Sequence, residues 1–492
     1  MERLREGAEK LTAPSSGDMP PEEFRRYAHE TADWIAGFLA RVDDVPVYPE
    51  VEAGDLIRQL PVDAPTSAEP MDEILRDFRE LVFPGLTHWN HPAFFGYFAI
   101  SASGPGILAE MLAAALNVNA MVWRSSPAAT ELEGVATAWL RRMLGLPQDF
   151  EGVINDTASS SSLYALAAAR ERTYPKAHDE GLFGQPIGRV YGSDQAHSSI
   201  EKAVLTLGLG RGGYRAITSD AEFRMDPVAL RAAIEEDRQA GVRPVAIVAT
   251  LGTTSTASID PIAEIAEIAA AEDVWLHVDA AYGGPVAVLP EMAGYFSGWE
   301  TADSIVVNPH KWLFTPIDCS VLYCRRPQDL VKAFSIVPEY LSSREGDGER
   351  SLMDYGVSLG RRFRSLKLWF VLRYFGRTGI ESRLREHLEL AALFANWVEE
   401  ADEWSLEAPV HLGTIAYRFA PGWADSAVQD ALNLRIAELV NASGQAFLTH
   451  TSVGGRIVLR LSIGNLRTTH KHVAGAWALL RQAAVEATAG LA

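Results

Sequence analysis

The sequence predicts an α/β architecture: a central, mostly parallel sheet with helices on its faces, preceded by a helical arm and followed by a small α+β domain. Three observations carry this expectation. From His91 to Phe375, short apolar runs alternate with longer stretches of helical spacing, the pattern of strand–helix–strand units. Ahead of that block the apolar residues recur at helical spacing alone. Beyond Gly376, helical stretches are interleaved with strand-like runs. The expected divisions are therefore residues 1–90, 91–375 and 376–492.

Taken in order, the opening residues mix Pro, Gly, Ser and charge without periodicity and read as a loose tail. Phe24, Tyr27, Ala28, Ala32, Trp34, Ile35 and Leu39 then mark a helix within Glu22 to Val42, and a second helical stretch runs from Met71 to Val82. The most apolar long stretch, Gly106 to Trp123, is interrupted by Glu110, Asn117 and Asn119, so a buried helix is expected there and not a membrane span. In the central block the candidate strands are Val190 to Gly192, Val245 to Leu251, Val274 to Asp279 and Ser304 to Val307. The candidate helices are Glu131 to Leu144, Ser160 to Glu171, Pro227 to Gln239 and Pro261 to Ala271. In the last part, helices around Arg383 to Ala401 and Val428 to Ala442 flank strands at Thr414 to Phe419 and Ile457 to Ile463.

Composition narrows the function. Hydrophobic residues make up 48% of the 492 and charged residues 22%, which is the balance of a globular chain. A formal net charge of -20 argues against nucleic acid or anionic lipid as partners, since both select basic patches. Cys319 and Cys324 are too few for a disulfide framework and lack zinc-site spacing, so no metal is expected. No apolar segment follows the first charged residues, and the protein reads as cytoplasmic.

Polar groups cluster where strands end, the usual ligand position in open α/β sheets. Asn308-Pro309-His310-Lys311-Trp312 directly follows the Ser304 to Val307 run. A Lys at a strand end, in apolar surroundings and beside a His, can have its pKa lowered enough to act as a nucleophilic amine, which is what a Schiff base to an aldehyde cofactor needs. The bland alternative is a surface Lys that happens to follow a His, as His470-Lys471 does in an expected polar loop between Arg467 and His472. Asp279 closes the Val274 to Asp279 run, where a carboxylate could pair with a protonated pyridine nitrogen or simply cap the next turn, and the small Ala281 would let a flat ring lie close. His197, in Ser193-Asp194-Gln195-Ala196-His197-Ser198-Ser199, could stack on such a ring or be a structural turn residue.

A phosphate needs donors. Asp156-Thr157-Ala158-Ser159-Ser160-Ser161-Ser162 opens a helix whose free N–H groups and hydroxyls form an anion site, though N-capping would also explain the serines. Gly208-x-Gly210-x-x-Gly213 has dinucleotide-fingerprint spacing but follows a helical stretch, so it reads as a helix exit. Phosphate donors, stacking His, pyridine-pairing Asp and Schiff-base Lys thus fall in order on successive strand ends, the requirements of pyridoxal 5'-phosphate (PLP).

These residues resemble the aromatic-L-amino-acid decarboxylases, group II decarboxylases of the PLP-dependent transferase-like fold (fold type I). The likeness extends to Val47-Tyr48-Pro49, Pro84-Gly85-Leu86-Thr87-His88-Trp89, Ser126-Pro127-Ala128, Thr130-Glu131-Leu132-Glu133 and Gly360-Arg361-Arg362-Phe363-Arg364-Ser365-Leu366-Lys367. It implies that Lys311 carries PLP, Asp279 pairs with the ring nitrogen, and His197 and Ala281 cover the two ring faces. Ala158, Ser159 and His310 would help hold the phosphate, with Asn308 and Thr254 close by. The implied pocket comprises Trp89, Tyr97, Phe98, Ala99, Ile100, Met121 and Gly360, and the implied assembly is a homodimer with an N-terminal arm wrapping the partner.

In this resemblance the reaction is loss of CO₂ from an aromatic L-amino acid. Tyr340, in a Ser-, Gly- and charge-rich stretch with lid composition, would deliver the proton that leads to amine; related plant aldehyde synthases carry Phe there. Ala99-Ile100 replaces the Pro-Thr of animal relatives, removing a partner for a ring hydroxyl, and Met121 stands where Phe is usual. Gly at the position of Gly360 accompanies indole substrates among plant relatives. Tryptophan or a substituted tryptophan is therefore favoured, with phenylalanine, tyrosine and DOPA open. The alternatives are an oxidative aldehyde synthase of the same fold and a non-catalytic interaction protein that retains it. Asp156-Thr157 replaces the family's common Gly-Ser in the phosphate loop.

Overall fold

Two facing apolar layers explain why the central strands read as continuous hydrophobic runs. In β4 (Arg243–Thr250), Ile247 and Ala249 enter one core cluster while Ala246 and Val248 enter another on the opposite face. Such double burial is what a parallel sheet covered by helices requires. The other strands are β1 (Glu151–Asn155), β2 (Gly188–Ser193), β3 (Tyr214–Ile217), β5 (Trp275–Asp279), β6 (Ser304–Val307) and β7 (Ser320–Cys324). Their order in the sheet is β1-β7-β6-β5-β4-β2-β3. β3, β2, β4, β5 and β6 run parallel, whereas β7 is antiparallel to both β6 and β1.

This computed structural model describes residues 18–336 and 350–489. One compact unit ends at His88 and a second begins at Trp89. In the first, helix α1 (Pro21–Ala40) carries Trp34 and Phe38, which pack with Phe78 and Phe83 at ring separations of 5.2 to 5.8 Å. Helix α2 (Met71–Asp77) passes into a single π-type turn at Phe78–Val82, which ends the expected helical stretch in a widened form.

In the second unit the helices are α3 (Gly104–Leu116), α4 (Pro127–Met143), α5 (Ala158–Thr173), α6 (Ser199–Thr206), α7 (Pro227–Gln239), α8 (Ile262–Ala271), α9 (Arg364–Glu399), α10 (Ser426–Ala442) and α11 (His470–Ala489). Asp226 caps α7 by accepting the Val228 and Ala229 N–H groups, which fixes the start that Pro227 marks in sequence. α9 is interrupted at Gly376, whose φ of 60° and ψ of 178° lie outside the helical region. A four-stranded sheet follows, in the order β10-β11-β9-β8, from β8 (Trp404–Leu406), β9 (Thr414–Phe419), β10 (Thr449–Val453) and β11 (Arg456–Ser462).

Two expectations are corrected. α3 was expected to be buried, yet in the isolated chain only Gly106 and Ala109 are, while Leu108, Met111, Leu112 and Leu116 are exposed. An apolar sequence records that a face avoids water, not which surface covers it. His470-Lys471 opens α11 instead of lying in a loop. The Gly208 to Gly213 segment does follow a helix, with Gly208 and Gly210 at positive φ after α6 ends. No helix among the described residues is long and apolar enough to cross a membrane.

Candidate active site

β6 is buried along its whole length and delivers Asn308 to a one-turn helix, Pro309–Trp312. Pro309 sets the first helical φ, and the Lys311 N–H donates to the Asn308 carbonyl at 3.0 Å. The turn leaves Lys311 half-buried, with its amine 4.9 Å from the centre of the Phe98 ring. Burial lowers the pKa of this amine and the Asp279 charge opposes the shift, so a larger share of it is the neutral nucleophile.

The Phe98 ring stacks on Tyr282 at 3.9 Å, and Tyr282 stacks on Trp312 at 4.8 Å with their planes 4° apart. The Trp312 indole N–H donates to Nδ1 of His387 at 2.9 Å, and the other His387 nitrogen bonds the Asn465 carbonyl at 3.1 Å. Because Nδ1 accepts, the proton of the neutral imidazole sits on Nε2. Burial pushes the His387 pKa down to about 3, so this tautomer persists well below neutral pH. The residue after Lys311 is thereby tied to α9 and to the chain following β11.

Asp279 ends β5, buried, and its Oδ1 accepts the Ala281 N–H at 3.1 Å. One oxygen thus does the turn-capping of the alternative reading and the other is left for a ligand. Two residues earlier, His277 lies between the Ser304 hydroxyl at 2.9 Å and the Ser162 hydroxyl at 3.0 Å, its pKa pushed down to about 4 by burial. His197 is exposed. Its Nδ1 accepts the Ser199 N–H at 3.2 Å, which leaves the proton on Nε2, and desolvation lowers its pKa while Asp279 opposes and Lys311 reinforces the shift. His197, Asp279 and Lys311 therefore share one electrostatic site.

Thr157 precedes α5 without a side-chain cap bond. The serines are not caps: Ser161 bonds Asn155 and Ser320, and Ser162 bonds His277, all buried. Ser159 is exposed and Ala158 half-buried at the open helix end. Asp156 Oδ1 accepts the Thr157 N–H at 2.8 Å, which places a carboxylate just ahead of the helix N-terminus. Nδ1 of His310 accepts the Cys319 N–H at 2.9 Å, which leaves Nε2–H as a donor, and burial holds the pKa at about 3. Thr254 is exposed in the turn after β4.

The candidate pocket residues fall into two groups. Trp89 stacks on Tyr97 at 5.4 Å, Tyr97 leads into Phe98, and buried Ala99 lies near Trp312 and Gly464. Tyr97 has a φ of 49°, a strained value for an aromatic residue, and Ile100 is half-buried beyond it. Met121 and Gly360 form the second group, joined through Asn119, with Gly360 in a small polar cleft beside Asn155 and Asp156. Tyr340 lies outside the described residues.

Arg460 escaped the sequence reading. It is buried in β11, lies 5.4 Å from the Phe98 ring centre, and donates to the Ser255 and Tyr97 carbonyls and the Thr449 hydroxyl. Burial lowers its pKa to about 10, and no carboxylate of the described residues pairs with it. A lone Arg inside Ile457-Val458-Leu459-Arg460-Leu461 was the available signal. His387 gave none, since its partners are distant in sequence.

The residues present fit PLP. The Asn308 Oδ1 and Thr250 Oγ1 atoms are buried without hydrogen-bond partners, at the ends of β6 and β4 that flank Asp279. A deprotonation-prone amine, a free carboxylate oxygen and an open helix N-terminus accompany them. The conserved domain of the pyridoxal-dependent decarboxylases matches residues 53–420. The chain belongs to this family.

Among relatives of this decarboxylase, the phenylacetaldehyde synthase of Petunia hybrida is 38% identical over 480 residues, 94% of each chain. A tryptophan decarboxylase of Camptotheca acuminata is 38% identical over 95% of each chain. Tryptophan decarboxylase of Oryza sativa, solved with PLP and tryptamine, superposes with a TM-score of 0.93 at 35% identity, over 96% of this chain and 99% of that one. The 4-hydroxyphenylacetaldehyde synthase of Rhodiola rosea does so with a TM-score of 0.89 at 33% identity, over 95% and 99%. The fold is thus type I, the cofactor is PLP, and the enzyme is a carboxy-lyase of the aromatic amino-acid group.

Proposed function

We propose that this decarboxylase converts an aromatic L-amino acid, tryptophan or a substituted tryptophan in preference to phenylalanine, tyrosine or DOPA, to the arylalkylamine and CO₂. The observation that carries it is the Phe98 ring with the Lys311 amine at 4.9 Å and the Arg460 guanidinium at 5.4 Å. A flat aromatic wall beside a guanidinium without a carboxylate partner suits a ligand that carries both a ring and a carboxylate.

PLP, when bound, supplies an electron-accepting ring to which the substrate's Cα–carboxylate bonding electrons can pass. Lys311 would hold that cofactor and give it up to the substrate amine. Asp279, with Oδ1 committed to Ala281, would use its other oxygen to keep a proton on the pyridine nitrogen. Ala158, Ser159, Asn308 and His310 would hold the phosphate, with Thr254 near the ring. His197 and Ala281 would cover the two ring faces, and Arg460 would orient the substrate carboxylate. Tyr340 would deliver a proton to Cα and so favour amine over aldehyde.

The indole preference rests on Gly360 and on the apolar Ala99-Ile100 pair. The exposed apolar face of α3 supports a homodimer. The test is product analysis of the PLP-loaded protein with L-tryptophan, L-phenylalanine, L-tyrosine and L-DOPA in competition. Amine with tryptamine foremost is expected, and Tyr340→Phe should divert product to aldehyde and peroxide. Aldehyde with stoichiometric peroxide from the unaltered enzyme would instead establish the oxidative reading.

A further inference from the structure

Two segments singled out in the sequence, Thr130 to Glu133 and Gly360 to Lys367, meet in the fold. Glu133 and Arg361 form an ion pair at 2.8 Å, with side chains 1% and 6% exposed. They hold more than each other. Glu133 Oε1 accepts the Ile154 N–H at 2.8 Å, and Arg361 Nη2 donates to the Ile154 carbonyl at 2.7 Å.

Ile154 lies in β1, which is an edge strand bonded only to β7. An edge strand presents a row of backbone groups without strand partners, and when buried these must find others. Here the carboxylate and the guanidinium take the place of a neighbouring strand, and Arg350 extends the same edge by donating to the Gly152 carbonyl at 3.5 Å. Asn155, Asp156 and Thr157 follow Ile154 immediately, and α5 begins at Ala158. The same Arg361 donates its backbone N–H to Asn119 Oδ1 at 2.9 Å and accepts the Ala120 N–H at 2.9 Å, beside Met121.

We propose that Glu133 and Arg361 are positioning residues for the cofactor's phosphate: by substituting for a strand beside β1, they set where residues 155–159 stand. The inference rests on the reading that this loop holds the phosphate. It adds two residues that touch neither cofactor nor substrate.

The experiment compares PLP with pyridoxal, which lacks the phosphate, by equilibrium titration of the apoprotein followed by absorbance and fluorescence quenching. Glu133→Gln and Arg361→Lys keep side-chain size or charge and lose part of the hydrogen-bond set. Arg418→Lys, which weakens the ion pair between Arg418 of β9 and Asp430 of α10, serves as control for a purely structural loss. The expected result is a PLP dissociation constant raised at least tenfold in Glu133→Gln and Arg361→Lys, a pyridoxal constant changed less than twofold, and neither changed in Arg418→Lys. Equal losses for the two ligands, or PLP binding within twofold of the unaltered protein, would overturn the proposal. Ser159→Asp separates the underlying reading: if an added negative charge there leaves PLP binding intact, the loop does not hold the phosphate, whatever the ion pair does.

Discussion

Replacing His387 tests whether the turn bearing Lys311 is braced from behind. In the intact protein His387 Nδ1 accepts the Trp312 indole N–H and Nε2–H donates to the Asn465 carbonyl. His387→Leu strands the indole N–H in a fully buried position, at a cost of about 1–3 kcal/mol. The second loss is smaller, because the Asn465 carbonyl still accepts the Thr468 N–H at 3.0 Å. With an unfolding entropy near 2.1 cal/mol/K per residue, a chain of this length unfolding as one unit should lose roughly 1–3 °C in Tm. His387→Gln, whose amide oxygen can accept from Trp312, should regain at least half of that. Scanning calorimetry of the holoenzyme at pH 7 measures both. A leucine variant within 0.5 °C of the parent, or a glutamine variant no better than leucine, would refute the bracing argument.

Acid should destabilise the protein through the same kind of group. His277, His310 and His387 are held neutral, with folded pKa values of about 4, 3 and 3 against 6.5. Their contribution is therefore complete above pH 6.5 and is lost as pH falls, while Asp260, pushed up to about 7 by burial, opposes them by taking its proton first in the folded state. Near pH 5 the four groups leave a net uptake of two protons on unfolding, a slope of about 2.7 kcal/mol per pH unit, which His387→Gln should halve; urea midpoints against pH would check it. Asp279→Asn should lower kcat by about tenfold to a hundredfold, the worth of one charge-assisted hydrogen bond, while PLP is still taken up in a spectroscopic titration. A Cβ at Gly360 would meet nothing nearer than Asn119 Nδ2 at 4.0 Å, so Gly360→Ser should fold normally and shift the kcat/KM ratio from tryptophan toward tyrosine, read by competition assay.

The central strands were legible because double burial writes long apolar runs, and β6 was expected at its observed bounds, Ser304–Val307. β1 was not seen: Glu151-Gly152-Val153-Ile154-Asn155 is short, polar at both ends, and completed on its outer edge by side chains from remote segments. β7 was missed because nothing local distinguishes Ser320–Cys324, which pairs antiparallel in a mostly parallel sheet. The site shows the same division. Lys311, Asp279 and His197 stand out in the sequence because each closes or follows an apolar run. Of the serines that open α5, Ser161 and Ser162 turn inward and satisfy buried groups of the sheet, which no local pattern announces. Arg460 and His387 reach Phe98 and Trp312 from β11 and α9, and that proximity exists only after folding.

Borohydride reduction of the holoenzyme followed by peptide mass mapping tests most directly whether Lys311 carries the cofactor. A single pyridoxyl-phosphate adduct on the peptide containing Lys311, absent from Lys311→Ala, is the predicted result. An adduct on another lysine, or none at full PLP loading, would contradict it.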